Sequence, residues 1–192
     1  MKTKQILKIG LLSFFLANTA YAQNYQFDFS GKKKAERGIV TISSDSIYPC
    51  KGGYGYDFLP APSKNGNSPF FFSVDVPDGN YLVTVTLGSK QKAGTTTVRA
   101  ESRRLFLENI STRKGEFLTF RFTVNKRNTI IGNGEKVQIK EREKNKLNWD
   151  DKLTFEFNGD APCVSSLKIE RTDDVLTVFL AGNSTVVDQD NE

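Results

Sequence analysis

The sequence of 192 residues contains no histidine, and it has only one tryptophan, one methionine and two cysteines. Because histidine is the commonest base that activates a serine nucleophile, the chain by itself cannot form a Ser-His-Asp triad. Beyond its first residues it also lacks an apolar run long enough to cross a bilayer as a helix. Its basic and acidic residues are interspersed, and a nucleic-acid-binding protein would need a concentrated basic surface. These absences exclude a self-contained triad hydrolase and argue against a nucleic-acid partner.

The first 22 residues have the pattern of an export signal. A basic start is followed by a short apolar core at 9–17 and by the small-x-small motif at 20–22. The basic residues are Lys2, Lys4 and Lys8. We therefore expect cleavage after Ala22 and a secreted or periplasmic protein whose mature form is not in the membrane. Without these three lysines the formal charge falls from +5 to 5 − 3 = +2.

Cys50 and Cys163 are the two cysteines, and both are flanked by turn-forming residues. In an oxidising compartment a disulfide between them would persist, and it would stabilise the fold by roughly 4 kcal/mol in the chain-entropy model. The alternative is two small unbonded thiols, which the sequence leaves equally open.

Most of the mature chain consists of short β-type runs separated by turns. The predicted strands lie at 25–29, 38–42, 70–76, 81–87, 95–100, 104–108, 117–124, 153–157 and 164–170, with a short peripheral one at 136–140. The turn signal at 77–80 predicts that the strands on either side of it form a hairpin. No amphipathic helix is predicted before Ser184. This pattern predicts an all-β fold, a β-sandwich or jelly roll, over residues 23–171.

After a boundary at 172–174 the pattern changes. The run Val175–Leu180 is apolar without alternation, which is typical of a parallel strand that is covered on both faces. Gly182 and Ser184 follow it, and a strand followed by glycine and serine is a common way to present a nucleophile. The alternative is one more sandwich strand with a frayed tail.

Residues 178–189 resemble the first block of the SGNH (GDSL-type) hydrolases, and the rhamnogalacturonan acetylesterase branch in particular. Asn183 stands where that family has its name-giving aspartate, a change that preserves the turn. Three earlier segments resemble the galactose-binding-like or malectin-like β-sandwich module that often precedes this catalytic domain. These segments are 51–58, 72–81 and 147–153.

The resemblance implies that Ser184 is the nucleophile of an intact carbohydrate esterase and that its backbone N–H is one oxyanion donor. Residues 175–192 would begin a truncated catalytic domain, and the missing C-terminal part would supply the Asp-x-x-His base. The intact enzyme would deacetylate a pectic polysaccharide, rhamnogalacturonan, without a cofactor. The chain alone is expected to be inactive because it has no histidine.

A non-catalytic carbohydrate-binding or domain-docking module is the alternative function, and a general adhesion sandwich is a third. Tyr54, Tyr56 and Trp149 are the candidates for stacking on sugar rings, because glycine, asparagine and aspartate surround them. The competing interpretation places these aromatic rings in the core. Asp150 and Asp151 could ligate calcium, but adjacent carboxylates in a turn are more often simply solvated, and no metal site is predicted.

Overall fold

A computed structural model of the chain describes residues 24–31, 37–62, 68–102, 104–141, 147, 149–180 and 182. The predicted export signal, Ser184 and most of the hydrolase-like block lie outside these residues. In the described part of the chain, no helix has the length and apolar character needed to span a membrane.

The described residues form two sheets of five strands each, which pack face to face. Sheet 1 contains β1 (Asn24–Asp28), β2 (Val40–Thr41), β5 (Gly79–Leu87), β8 (Leu118–Lys126) and β10 (Val164–Arg171). Sheet 2 contains β3 (Tyr54–Asp57), β4 (Phe70–Asp75), β6 (Gly94–Ala100), β7 (Arg104–Thr112) and β9 (Lys152–Asn158). The strand orders are β2-β1-β10-β5-β8 and β3-β4-β9-β6-β7. All pairs are antiparallel except β1 with β2, so the predicted all-β sandwich is confirmed.

The core lies between the two sheets and follows from the alternation of apolar residues along the strands. In β5, Tyr81, Val83, Val85 and Leu87 are completely buried, while the residues between them are half-buried. Phe27 of sheet 1 contacts Phe72 of sheet 2 edge-to-face, with 5.0 Å between ring centroids. The other completely buried core residues are Val74, Val98, Val124, Leu153, Phe155, Phe157, Leu167 and Ile169. Each such side chain contributes about 1.5–3 kcal/mol through removal from water.

The hairpin predicted around residues 77–80 is wrong. β4 pairs with β3 and β9 in sheet 2, whereas β5 pairs with β10 and β8 in sheet 1. The turn therefore carries the chain from one sheet to the other. Two contacts hold it there: the Tyr81 hydroxyl donates to the carbonyl of Pro77 at 2.8 Å, and Asp78 pairs with Lys126 at 2.9 Å. Both contacts suit a crossing between sheets, because Tyr81 and Lys126 belong to sheet 1.

The structure differs from the predicted strands at three further places. β3 was not predicted, because Gly55 interrupts its short run. Residues 136–140 form no strand, and only Lys136 makes an isolated bridge, to Ile130. Val175–Leu180 is also not a strand in the structure. No neighbouring strand pairs with this last segment, so its apolar composition alone does not produce β-structure.

One end of the sandwich, called the cleft end here, collects most of the polar side chains discussed below. At this end β4, β6 and β8 finish and β3, β5, β7 and β9 begin, as the pairs Asp75↔Lys152 and Gly79↔Lys126 show. Residues 48–53, the turn at 76–78 and the residues that precede β9 all lie at this end.

Candidate functional site

The cleft end carries an open cleft of about 440 Å³. Tyr48, Asp75, Val76, Pro77 and Asp151 line it. Tyr48 comes from the segment before β3, the next three residues end β4 and lead into the turn, and Asp151 directly precedes β9. The cleft thus combines one aromatic ring, two carboxylates and an apolar wall.

Two glycines allow the segment around Tyr48 to pack closely on sheet 2. Gly55 has φ 149°, and a Cβ there would lie 2.5 Å from the backbone nitrogen of Tyr48. Gly53 has φ 68°, and a Cβ there would collide with the carboxylate of Asp75. The backbone bonds from Tyr48 N to Tyr56 O at 2.9 Å complete the attachment. Glycine is required at both positions because only it combines this backbone conformation with so close a contact.

Tyr48 and Asp75 are joined directly, since the Tyr48 hydroxyl donates to Oδ1 of Asp75 at 2.5 Å. Burial raises the pKa of Tyr48 well above its usual range, and the hydrogen bond to Asp75 raises it further. The negative charges of Asp75, Asp57 and Asp150 act in the same direction. The tyrosine therefore stays protonated and marks a region of negative potential.

Lys152 sits beside this pair and is already engaged. Its ammonium group lies 4.6 Å from the ring centre of Tyr48 and 4.4 Å from that of Phe58, and it pairs with Oδ2 of Asp57. The same Asp57 oxygen accepts from Ser73 Oγ at 2.8 Å, and Ser73 is completely buried. This arrangement fixes the Tyr48 ring through a cation–π contact.

A second polar cluster lies deeper at the same end. Glu101 is 6% exposed, and its Oε1 accepts the Thr154 backbone N–H at 3.0 Å. Burial raises the pKa of Glu101 from 4.5 to about 7, against the lowering effects of that hydrogen bond and of the Arg104 charge. The buried Lys126 ammonium pairs with Asp78. Asp150, whose pKa burial also raises, interacts electrostatically with both Glu101 and Lys126.

The three aromatic residues predicted from the sequence are dispersed. Tyr56 is 8% exposed and contacts Phe70 and Phe72 edge-to-face, so it belongs to the core. Tyr54 is half-buried and packs on Phe27 with 5.3 Å between centroids. Trp149 is the most exposed of the three, at 42%, and it lies two residues before Asp151 of the cleft.

The sequence analysis missed Tyr48, Asp75, Val76 and Pro77. Asp75 and Val76 were predicted to end a strand and Pro77 to begin a turn, and no local pattern shows that this turn lies beside Tyr48. Asp151 was singled out as a possible calcium ligand; among the described residues, no group of three or more histidine, cysteine or carboxylate side chains could hold a metal ion.

Cys50 and Cys163 are both free thiols in the structure, so the disulfide is not formed. Cys50 lies at the cleft end, where its thiol donates to the Tyr54 carbonyl at 2.8 Å. Cys163 precedes β10 at the opposite end, and its N–H donates to Thr96 Oγ1 at 2.9 Å. The length of the sandwich separates them, far beyond the reach of a disulfide.

The segment 175–180 lies along the cleft end with its apolar side chains in solvent. Leu176 is 92% exposed and Leu180 is 83% exposed. Thr177 shares hydrogen bonds with Asn80 at 3.0 and 3.2 Å, and Arg127 lies over the Phe179 ring at 4.3 Å. These few polar contacts attach the segment to the sandwich without burying it.

No family model matches the chain, and no curated protein matches it significantly. Three solved structures align with part of the chain. Protein YXIM of Bacillus subtilis is 26% identical with a TM-score of 0.49, over 79% of this chain and 41% of that protein. The plant receptor-like kinase FER is 12% identical with a TM-score of 0.47, over 84% of this chain and 46% of that protein. A CBM35 from Paenibacillus barcinonensis is 10% identical with a TM-score of 0.31, over 68% of this chain and 88% of that protein. The chain thus matches less than half of the first two proteins, and at these TM-scores the likeness assigns it to no family.

Proposed function

We propose that the β-sandwich is a non-catalytic module that binds carbohydrate in the cleft. The observation that carries this proposal is the combination of Tyr48 and the Asp75 and Asp151 carboxylates in one open cleft, with the exposed Trp149 two residues before Asp151 in the chain. Ionised carboxylates accept hydrogen bonds from hydroxyl groups, and aromatic faces pack against the apolar faces of sugar rings. An open cleft also suits one stretch of a long polymer better than an enclosed cavity would.

Rigidity at the cleft supports the same proposal. Tyr48 is held by its hydrogen bond to Asp75, by the ring contact with Lys152 and by the close packing at Gly55. A binding surface whose side chains are fixed before the ligand arrives loses less conformational entropy on binding.

The test is calorimetric titration of the protein with a panel of oligosaccharides. Trp149→Ala and Asp151→Ala should each weaken the binding of a recognised glycan about tenfold, or about 1.4 kcal/mol. Phe117→Ala is the matched control, because Phe117 is 41% exposed but lies before β8 at the opposite end. Failure to bind any glycan, or equal losses in the control, would reject the proposal.

A second candidate is that the module forms part of a carbohydrate esterase in which Ser184 is the nucleophile. Its support is the resemblance of residues 178–189 to the SGNH hydrolases together with the exposed apolar segment before them. Leu176 and Leu180 are exposed as expected for a strand that lacks its neighbours. In this proposal the oxyanion donor is the Ser184 backbone, and the substrate is an acetylated pectic polysaccharide.

The esterase candidate makes a separate prediction. The chain of 192 residues should show no hydrolysis of p-nitrophenyl acetate above a Ser184→Ala control, since it has no histidine to activate the serine. A longer protein that adds an Asp-x-x-His segment should be active, and Ser184→Ala should abolish that activity. Serine-dependent turnover by the short chain would contradict the requirement for further catalytic groups.

A further inference from the structure

The charges around the cleft are unbalanced. Asp75 and Asp151 are exposed, and neither forms an ion pair with any cation in the described part of the chain. Lys152 is the cation beside Tyr48, and its charge is already paired with Asp57. Among the residues that the structure describes, the two carboxylates of the cleft therefore lack an ion-pairing cation.

The protein itself shows how an ammonium group is bound in these surroundings. Lys152 Nζ lies between the rings of Tyr48 and Phe58 and against the Asp57 carboxylate. In the cleft, the same two kinds of partner occur together: the phenol of Tyr48 and the carboxylate of Asp75. An ammonium group from a ligand would find a charge-assisted hydrogen bond and an aromatic neighbour there.

A ligand with carboxylates would meet the opposite conditions. It would have to approach Asp75 and Asp151, and like charges at close range disfavour binding. The raised pKa of Tyr48 is consistent with this negative potential, because after burial and the hydrogen bond its causes are the charges of three nearby aspartates.

We propose that the cleft selects glycans that carry free, protonated amino groups and discriminates against uronic-acid glycans. This inference rests on the proposed carbohydrate-binding function and specifies its ligand class. It opposes the preference that the positive net charge of the mature chain, 5 − 3 = +2, would suggest, because charges farther than a Debye length of about 8 Å are largely screened at physiological salt. It also separates the ligand of the module from the pectic substrate expected of the esterase.

The experiment compares three hexasaccharides at mildly acidic pH by calorimetric titration of the full chain. These are a glucosamine hexamer, its N-acetylated and therefore neutral counterpart, and a galacturonic acid hexamer. We expect the glucosamine hexamer to bind about tenfold more tightly than the N-acetylated one, and the galacturonic acid hexamer to bind most weakly. Added salt should reduce the preference.

The variants locate the effect. Asp151→Asn and Asp75→Asn should each reduce the preference for the amino sugar, and the double variant should bind the glucosamine and N-acetylglucosamine hexamers about equally. Asn can still accept the hydrogen bond from Tyr48, so circular dichroism and the denaturation midpoint should be retained. Asp160→Asn is the matched control, because Asp160 is exposed and follows β9 at the opposite end of the sandwich.

The outcomes separate this inference from the function on which it rests. If neutral glycans bind through Trp149 but the amino groups make no difference, this inference fails and the carbohydrate-binding module stands. If the galacturonic acid hexamer binds most tightly, or if the preference survives in the double variant, the inference is also overturned. If none of a wide panel of glycans binds, both proposals fail.

Discussion

Strand β5 and the segment 175–180 are similarly apolar, but most apolar side chains of β5 are buried and most of those in the segment are exposed. Val83, Val85 and Leu87 are completely buried, whereas Leu176 and Leu180 are 92% and 83% exposed. β5 has a hydrogen-bonded strand on each side and sheet 2 across its inner face. The segment has only side-chain contacts with the sandwich, including those of Thr177. The difference shows that hydrophobicity supplies the driving force, while neighbouring strands decide whether it is used.

The largest expected effect is a test of the buried side of this comparison. Phe155→Ala should destabilise the protein by about 3–5 kcal/mol, because the substitution leaves a cavity between the two sheets where the side chain is now completely buried. Phe179→Ala is the matched control in the exposed segment, where 62% of the residue is already in solvent, and it should change stability by less than about 0.5 kcal/mol. Chemical denaturation measures both. Similar losses in the two variants would show that the segment is packed as well as the core.

The next largest effect concerns the carboxyl group of Glu101, which is buried in the sandwich. The pKa of Glu101 is about 7 in the folded protein and near 4.5 in the unfolded chain. Between these values the unfolded chain loses a proton that the folded protein keeps, so stability falls as the pH rises and levels off above about 7. The free energy of unfolding falls by on the order of 3 kcal/mol in total, since each unit of difference between the two pKa values corresponds to about 1.4 kcal/mol.

Glu101→Gln removes this titration and keeps an acceptor for the Thr154 N–H. The stability of this variant relative to the wild type should therefore rise between mildly acidic and mildly alkaline pH, as measured by urea denaturation across the range. Asp173→Asn changes an exposed carboxylate and should show no such trend. Parallel pH profiles for Glu101→Gln and the wild type would contradict the assignment of this dependence to Glu101.

The smallest effect is expected from removal of the exposed segment. Truncation after Asp174 should cost less than about 1 kcal/mol, because the contacts that the described residues lose are the Asn80–Thr177 hydrogen bonds and the exposed Arg127–Phe179 contact. Solubility should improve, since the truncation removes several exposed apolar side chains. The denaturation midpoint and size-exclusion profile measure the two consequences. A loss of several kcal/mol would mean that Val175–Leu180 stabilises the sandwich as an integral element.

The sequence alone was sufficient for the fold class and for most of the strands. The alternation of Tyr81, Val83, Val85 and Leu87 predicted both the β5 strand and its buried face, because a period of two is a local property of an extended chain. The same reasoning failed for the connection at 77–80. A turn signal shows where the chain changes direction, but it does not show which strand will be the next partner.

The site illustrates the same division between local and non-local information. Trp149 and Asp151 were recognised in a polar loop, while Tyr48 and Asp75 were not. For Tyr56 the sequence left sugar stacking and burial in the core open, and the structure shows that it is buried. Residues 48, 75 and 151 are far apart in the chain and meet only because β3, β4 and β9 are neighbours in sheet 2. The composition and periodicity of the sequence determined that this chain builds a β-sandwich. Strand pairing across long sequence separations decided where its charges gather, because a side chain's neighbours across a sheet come from strands that local patterns do not identify.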